Sequence, residues 1–247
     1  MLTLCFDLIE KICEELSDKD KIRFMTTSNA MNELKYRFMF NEKIHIGKIE
    51  SLPYYNNFIN VEVDDIICNC FRNNQCDNIL QISKNVTHLT ISQKYQYNEI
   101  GYIPISQNIV IPYNIIDLTV DYWLDLTIKF HVLPKITHLT FGTLFDRPIK
   151  DKIPNSVTHL VFGRKFNQPI DYVIPNSVTH IKFGFCFNKP IKNCIPESVT
   201  HLTFGYAFKQ ALDDLPTSVT YIALSRNYDL VISANILSKV QIENLFC

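Results

Sequence analysis

Four histidines, His138, His159, His180 and His201, recur at intervals of 21 residues. On adjacent parallel strands they would stand about 4.8 Å apart. Imidazoles in such a row offer nitrogen donors to a transition metal. Against that, no carboxylate or thiolate stands at matching positions, and a zinc site wants ligands converging on one point. A residue type repeated in every unit is repeat architecture, whereas a site is local. The reading adopted is a structural ladder, each His bonded to the adjacent Thr or stacked on the next ring, with no metal and no cofactor.

The thiols point to no chemistry either. Cys68-Asn69-Cys70 with Cys76 has a spacing uncommon for zinc and no fourth ligand close by. The eight cysteines follow no repeated spacing, and the first apolar run is broken by Asp7 and Glu10, unlike a secretory signal. Reduced thiols are therefore expected, in a cytoplasmic chain (host cytoplasm if viral) or a nuclear one. No nucleophile elbow, zinc-protease helix or phosphate loop occurs, so no catalysis is expected. A net charge of −1 argues against nucleic acid and against a membrane surface as partner. No apolar run approaches the length of a membrane span.

The histidines belong to a repeat that covers much of the chain. "IPNSVTHLVFGRKFNQPIDYV" from Ile153 is followed at once by "IPNSVTHIKFGFCFNKPIKNC" from Ile174. Phe141, Phe162, Phe183 and Phe204 form one aromatic column, and Phe145, Phe166, Phe187 and Phe208 a second. Gly142, Gly163, Gly184 and Gly205 are four of the six glycines in the chain. The pattern fades at both ends: Tyr221 replaces His downstream, Asp117 replaces it upstream, and Val86 to Ile91 is a partial copy. Stacked repeats need such degenerate ends, because terminal units face water.

Twenty-one residues hold one short strand, a corner and a return, but not two helices. Thr158-His159-Leu160-Val161-Phe162 is rich in strand formers. Alternation places Leu160 and Phe162 inward and His159 and Val161 outward. Gly163 is expected to end the strand with a backbone turn, and Pro154 and Pro169 lie on the return path. Successive strands then pair in parallel over a continuous phenylalanine core.

Outward, the residue two after each His varies: Thr140, Val161, Lys182, Thr203 and Ala223. Variation on a constant frame is what a recognition surface looks like, and also what an unconstrained surface looks like; the first reading is adopted. The expected target-binding face is therefore His138, Thr140, His159, Val161, His180, Lys182, His201 and Thr203.

Before about residue 41 the pattern changes. Leu4, Leu8, Ile12 and Leu16 recur every four residues with Ile9 beside them, one apolar stripe on a helix. Ser17-Asp18 reads as a new cap, and Ser28 as the cap of a third segment through Met31, Leu34 and Phe38. Three short helices bury too little to stand alone. From 42 to 82 the sequence reads either as an irregular linker or as worn first coils, and Ile236 to Phe246 as a cap closing the stack.

Two resemblances follow. Leu4 to Leu34, "LCFDLIEKICEELSDKDKIRFMTTSNAMNEL", resembles an F-box through Leu4, Asp7, Leu8, Ile9, Ile12, Leu16, Asp20, Phe24 and Ser28, departing from it at Cys5, Lys21 and Met31. The "IPxSVTHLxFGxxFNxPI" block resembles the FNIP repeat, itself similar to leucine-rich repeats, most clearly in Phe166-Asn167-Gln168-Pro169-Ile170 and Phe187-Asn188-Lys189-Pro190-Ile191. The pairing is typical of F-box/FNIP-repeat proteins of amoebae and giant viruses. It implies an α+β chain: a three-helix F-box over 1–41, then a leucine-rich-repeat-like solenoid of short parallel strands over 83–247. It further implies a substrate receptor. The F-box would dock a Skp1-type adaptor of a cullin ubiquitin ligase through Leu4, Leu8, Ile9, Ile12, Leu16 and Phe24, and the repeats would hold an unidentified target protein. The alternative is a repeat scaffold with no ligase connection.

Overall fold

The computed structural model describes residues 6–64, 80–92, 109–121 and 135–245. Leu4, Cys68, Cys70, Cys76 and Phe246 lie outside them.

The chain opens with α1 (Phe6–Glu14), α2 (Asp18–Met25) and α3 (Asn29–Asn32). Ser17 caps α2 by accepting the Asp20 N–H at 3.2 Å, and Ser28 caps α3 by accepting the Met31 N–H at 3.2 Å. Both caps stand where the sequence puts them. The third segment is shorter than its apolar spacing suggests. A 3₁₀ turn over Glu33–Tyr36 follows α3 directly and ends before Phe38.

The strands are β1 (Ile44–His45), β2 (Asn60–Asp64), β3 (Leu80–Gln81), β4 (His88–Ser92), β5 (Ile109–Val110), β6 (Asp117–Val120), β7 (His138–Phe141), β8 (His159–Phe162), β9 (His180–Lys182), β10 (His201–Thr203) and β11 (Tyr221–Ser225). After α4 (Ala234–Leu237) comes β12 (Gln241–Leu245). Among the described residues, ten strands form one sheet in the order β1-β2-β4-β6-β7-β8-β9-β10-β11-β12, while β3 and β5 form a small second sheet. Every pairing is parallel. One strand per coil, each paired in parallel with the next, makes this a solenoid. Its sheet begins at Ile44, so β1 and β2 within 42–82 are its first strands. At the far end, the stretch read as a cap instead adds a strand. Gln241-Ile242-Glu243 alternates with period two, and β12 pairs with β11 over five residues.

The repeat columns become vertical stacks. Leu118, Leu139, Leu160, Ile181, Leu202 and Ile222 are fully buried behind the sheet. Phe141, Phe162, Phe183 and Phe204 follow one another at 5.6, 5.3 and 5.4 Å between ring centroids. The second column runs beside it at 6.2, 6.1 and 6.2 Å, and Tyr228 extends it by one coil. Within a coil the two columns touch more closely, at 3.9–4.5 Å. Each ring is thus packed along the stack and across it.

Two devices fit coil to coil, and a third closes the turn within each coil. Asp146 Oδ1 accepts the Asn167 N–H at 2.9 Å, Asn167 Oδ1 the Asn188 N–H at 2.9 Å, and Asn188 Oδ1 the Lys209 N–H at 2.9 Å, which explains the Asp or Asn after Phe145, Phe166 and Phe187. The carbonyls of Pro154, Pro175 and Pro196 each accept a valine N–H three residues on at 3.1 Å, closing the return turn. The glycine column works differently from the turn expected of it. Among the described residues no glycine has positive φ. A Cβ on Gly163 would instead overlap the Gly142 carbonyl, and one on Gly184 the Gly163 carbonyl. Glycine is required because neighbouring backbones touch there. The left-handed corners fall elsewhere, at Asp151, Tyr172 and Asn193, with φ of 59°, 54° and 57°.

The helical unit has its own small core of Ile9, Cys13 and Met25, flanked by Phe24, Met31, Leu34 and Phe38. It is joined to the solenoid by a reciprocal pair. The Asp18 N–H donates to Glu42 Oε1 at 2.9 Å and the Glu42 N–H to Asp18 Oδ2 at 2.6 Å. Lys21 neutralises the buried Asp18 at 3.1 Å.

Candidate interaction face

The outward face of the sheet is built from the odd positions of each strand. His138, His159, His180 and His201 are in direct register. Their rings lie face to face at 4.3, 4.3 and 4.2 Å, within 15° of parallel. Tyr221 continues the stack at 5.3 Å, and its hydroxyl donates to Glu243. Each Nδ1 is 2.8–2.9 Å from the hydroxyl of the preceding Thr, at Thr137, Thr158, Thr179 and Thr200. Thr158, Thr179 and Thr200 also direct that hydroxyl to the carbonyl of the Thr one coil earlier at 3.2 Å. A hydroxyl has one proton. This network therefore assigns the ring proton to Nδ1 and leaves Nε2 as an outward acceptor. Stacking and the Thr bond, posed as alternatives in the sequence, operate together.

Desolvation first, and then the neighbouring imidazoles, push the His159 and His180 pKa below the usual histidine value. That bias favours the neutral imidazole at His159 and His180. Parallel rings aim their Nε2 lone pairs side by side and not at a common point. Among the described residues no group of three His, Cys, Asp or Glu is placed to hold a metal.

Beside the ladder, Thr140, Val161 and Thr203 are half-buried and Lys182 is exposed. Ala223, the next in that column, is buried. One outward column escapes a reading focused on constant positions. The residue after each glycine position runs Thr143, Arg164, Phe185, Tyr206, Arg226. Phe185 and Tyr206, each 41% exposed, stack at 4.9 Å, and the Arg164 guanidinium lies over the Phe185 ring at 4.9 Å. The available signal was a large side chain beside an invariant glycine.

On α1, Leu8 and Ile12 are 48% and 37% exposed, whereas Ile9 is buried in the helical core. The stripe read from the four-residue spacing is therefore divided: Ile9 and Cys13 face in, Leu8 and Ile12 face out. Leu16 and Phe24 are half-buried. Cys194 is buried beside Asp171. Burial and its contact with Asp171 push its thiol up to about 11.

Residues 145–186 and 187–227 match the FNIP repeat. Each matched stretch holds two strands, β8 with β9 and β10 with β11, so these four coils are the FNIP coils. No curated protein matches the chain. Among solved structures, the chain is similar to one described as the crystal structure of CroV588, a novel circular LRR protein, with 24% identity and a TM-score of 0.42. That similarity covers 80% of this chain and 30% of the other, so this chain spans less than a third of that protein's length.

Proposed function

We propose that the chain is a protein-interaction scaffold whose outward sheet face holds a partner polypeptide. One observation carries this. The same strands whose inward positions are repeated Leu, Ile and Phe present variable side chains outward, Thr140, Val161, Lys182 and Thr203, and just beyond the strand ends Arg164, Phe185 and Tyr206 form a second variable column. A rigid frame with a variable face suits recognition of another protein. The match of the central coils to the FNIP repeat supports the same reading. Capture of a partner by the full chain, lost in Val161→Arg with Thr203→Arg while the melting temperature holds, is the expected result. Equal capture by that variant sinks the assignment of the face.

The finer reading makes the helical unit an F-box. Leu8 and Ile12 are apolar, exposed and one turn apart on α1, while Ile9 and Cys13 hold the unit together. An i, i+4 pair of this kind suits insertion into a partner's groove. The partner proposed is a Skp1-type adaptor of a cullin ubiquitin ligase, with the solenoid holding the target near the transferring enzyme, so that proximity supplies the rate. Leu8→Asp with Ile12→Asp abolishes co-purification with the adaptor without lowering thermal stability. If the wild-type chain binds no adaptor, the scaffold reading stands without the ligase.

A further inference from the structure

The FNIP coils differ in charge from the rest of the sheet. From the first strand residue to the second-column aromatic or its equivalent, four consecutive stretches (159–166, 180–187, 201–208 and 221–228) contain Arg164, Lys165, Lys182 and Arg226 and no Asp or Glu. On either side the outward columns are acidic, with Glu62 and Asp117 before and Glu243 after. Arg164, Lys165, Lys182, Phe185, Tyr206 and Arg226 are all exposed. Lys182 is flanked in register by Val161 and Thr203, neither of them charged. Arg164, Lys165 and Lys182 make no ion pair among the described residues.

The rings sharpen the chemistry. Phe185 has Arg164 over its face and Tyr206 stacked on it, so its faces are taken and ring edges point outward. Ring edges carry the positive end of the aromatic quadrupole. A guanidinium lying on a ring keeps its N–H fork free for a carboxylate. With both its faces occupied, Phe185 offers a nucleobase no platform of the kind single-strand binders use.

We propose that this rim, Arg164, Lys182, Phe185, Tyr206 and Arg226, docks an extended acidic segment of a partner protein. Four coils span roughly 14–15 Å at the inter-strand spacing, the length of about four or five extended residues. The segment is therefore short and holds two or three carboxylates. The proposal rests on the scaffold reading and adds the chemistry of what it holds.

The test uses the full chain and three fluorescein-labelled probes: a short Glu–Gly alternating peptide, its Gln–Gly counterpart, and oligo(dT). The expected result is saturable binding of the Glu–Gly peptide alone, weakened by salt. Arg164→Glu with Lys182→Glu lowers that affinity about tenfold or more, as does Phe185→Ser with Tyr206→Ser. Lys84→Glu with Lys239→Glu changes net charge equally and leaves affinity intact. Absence of binding, an equal loss in the Lys84/Lys239 pair, or preference for oligo(dT) overturns the proposal. In the partner-capture assay, equal capture by wild type and Arg164→Glu/Lys182→Glu overturns this inference alone. No capture by either removes the scaffold reading with it.

Discussion

Phe183→Ala is the sharpest perturbation of the stack. The ring is 1% exposed and touches three others: Phe187 at 4.0 Å, Phe162 at 5.3 Å and Phe204 at 5.4 Å. Truncating a buried Phe removes its transfer free energy and leaves a cavity, together about 3–5 kcal/mol. The cavity cannot collapse cheaply here, because the rings around it are fixed by their own stacks and the strands by parallel pairing. A cost toward the upper part of that range is expected. For a chain of this size it lowers the melting temperature by roughly 6–20 °C. Urea titration gives the free energy directly. Because each coil packs only against its neighbours, amide exchange should show lost protection concentrated in β8, β9 and β10 while β2 and β4 keep theirs. A change within about 0.5 kcal/mol of zero, the behaviour of a surface site, would refute the continuous aromatic spine. Uniform loss of protection along the sheet would refute nearest-neighbour coupling.

Other perturbations test the remaining devices. Gly184→Ala is destabilising by about 1–3 kcal/mol, because the new methyl meets backbone that cannot rotate away; denaturant titration showing the small gain usual for Gly→Ala would remove the close-approach explanation. Tyr172→Gly raises stability by about 0.5–1 kcal/mol, since a residue 89% exposed gives up no packing and the left-handed strain is relieved; the same change at Asn193, a residue type that tolerates this region, gains less by the same titration. Acid weakens the histidine ladder. With His159 and His180 below their usual pKa, the unfolded chain binds more protons than the folded one. Their contribution is complete above about pH 6.5 and is lost as pH falls below it. Thermal melts between neutral and mildly acidic pH therefore fall more steeply for the wild type than for His159→Tyr with His180→Tyr, which keeps stacked rings without titrating.

The parts of the fold legible in the sequence are those where one cause acts at one period. Inward Leu160 and Phe162 follow from strand alternation, and their vertical stacking from the constant spacing. The glycine column was visible but its reason was not. A sequence shows that a side chain is absent, whereas only the stacked backbones show that the Gly163 carbonyl occupies the space a Cβ at Gly184 would need. The α1 stripe was legible as a stripe but not in its orientation, for a related reason. Leu8, Ile12 and Leu16 have helical spacing, but which stripe faces inward depends on where α2 packs, and the packing selects Ile9 with Cys13. The bond between Asp18 and Glu42 spans 24 residues and leaves no periodic trace. Likewise, the rim was hidden by its own variability, since a column defined by difference has no consensus to notice.

The ladder and the rim divide the outward face between them. A histidine in the ladder has a neighbour on each face and a threonine on Nδ1, so replacing it disturbs two coils at once. That is reason enough for the column to be uniform, and a uniform column cannot distinguish one partner from another. On the scaffold reading, discrimination would come from positions outside the ladder, whose side chains can vary without breaking it. Lys182, between two uncharged neighbours, is such a position. Arg164, Phe185 and Tyr206 are the next, at the carboxyl ends of the strands, where the ladder does not reach. The ladder thus sets the spacing and stiffness of the face. On the scaffold reading, the choice of partner would fall to a strip displaced toward one rim, where a few substitutions change the chemistry without disturbing the ladder.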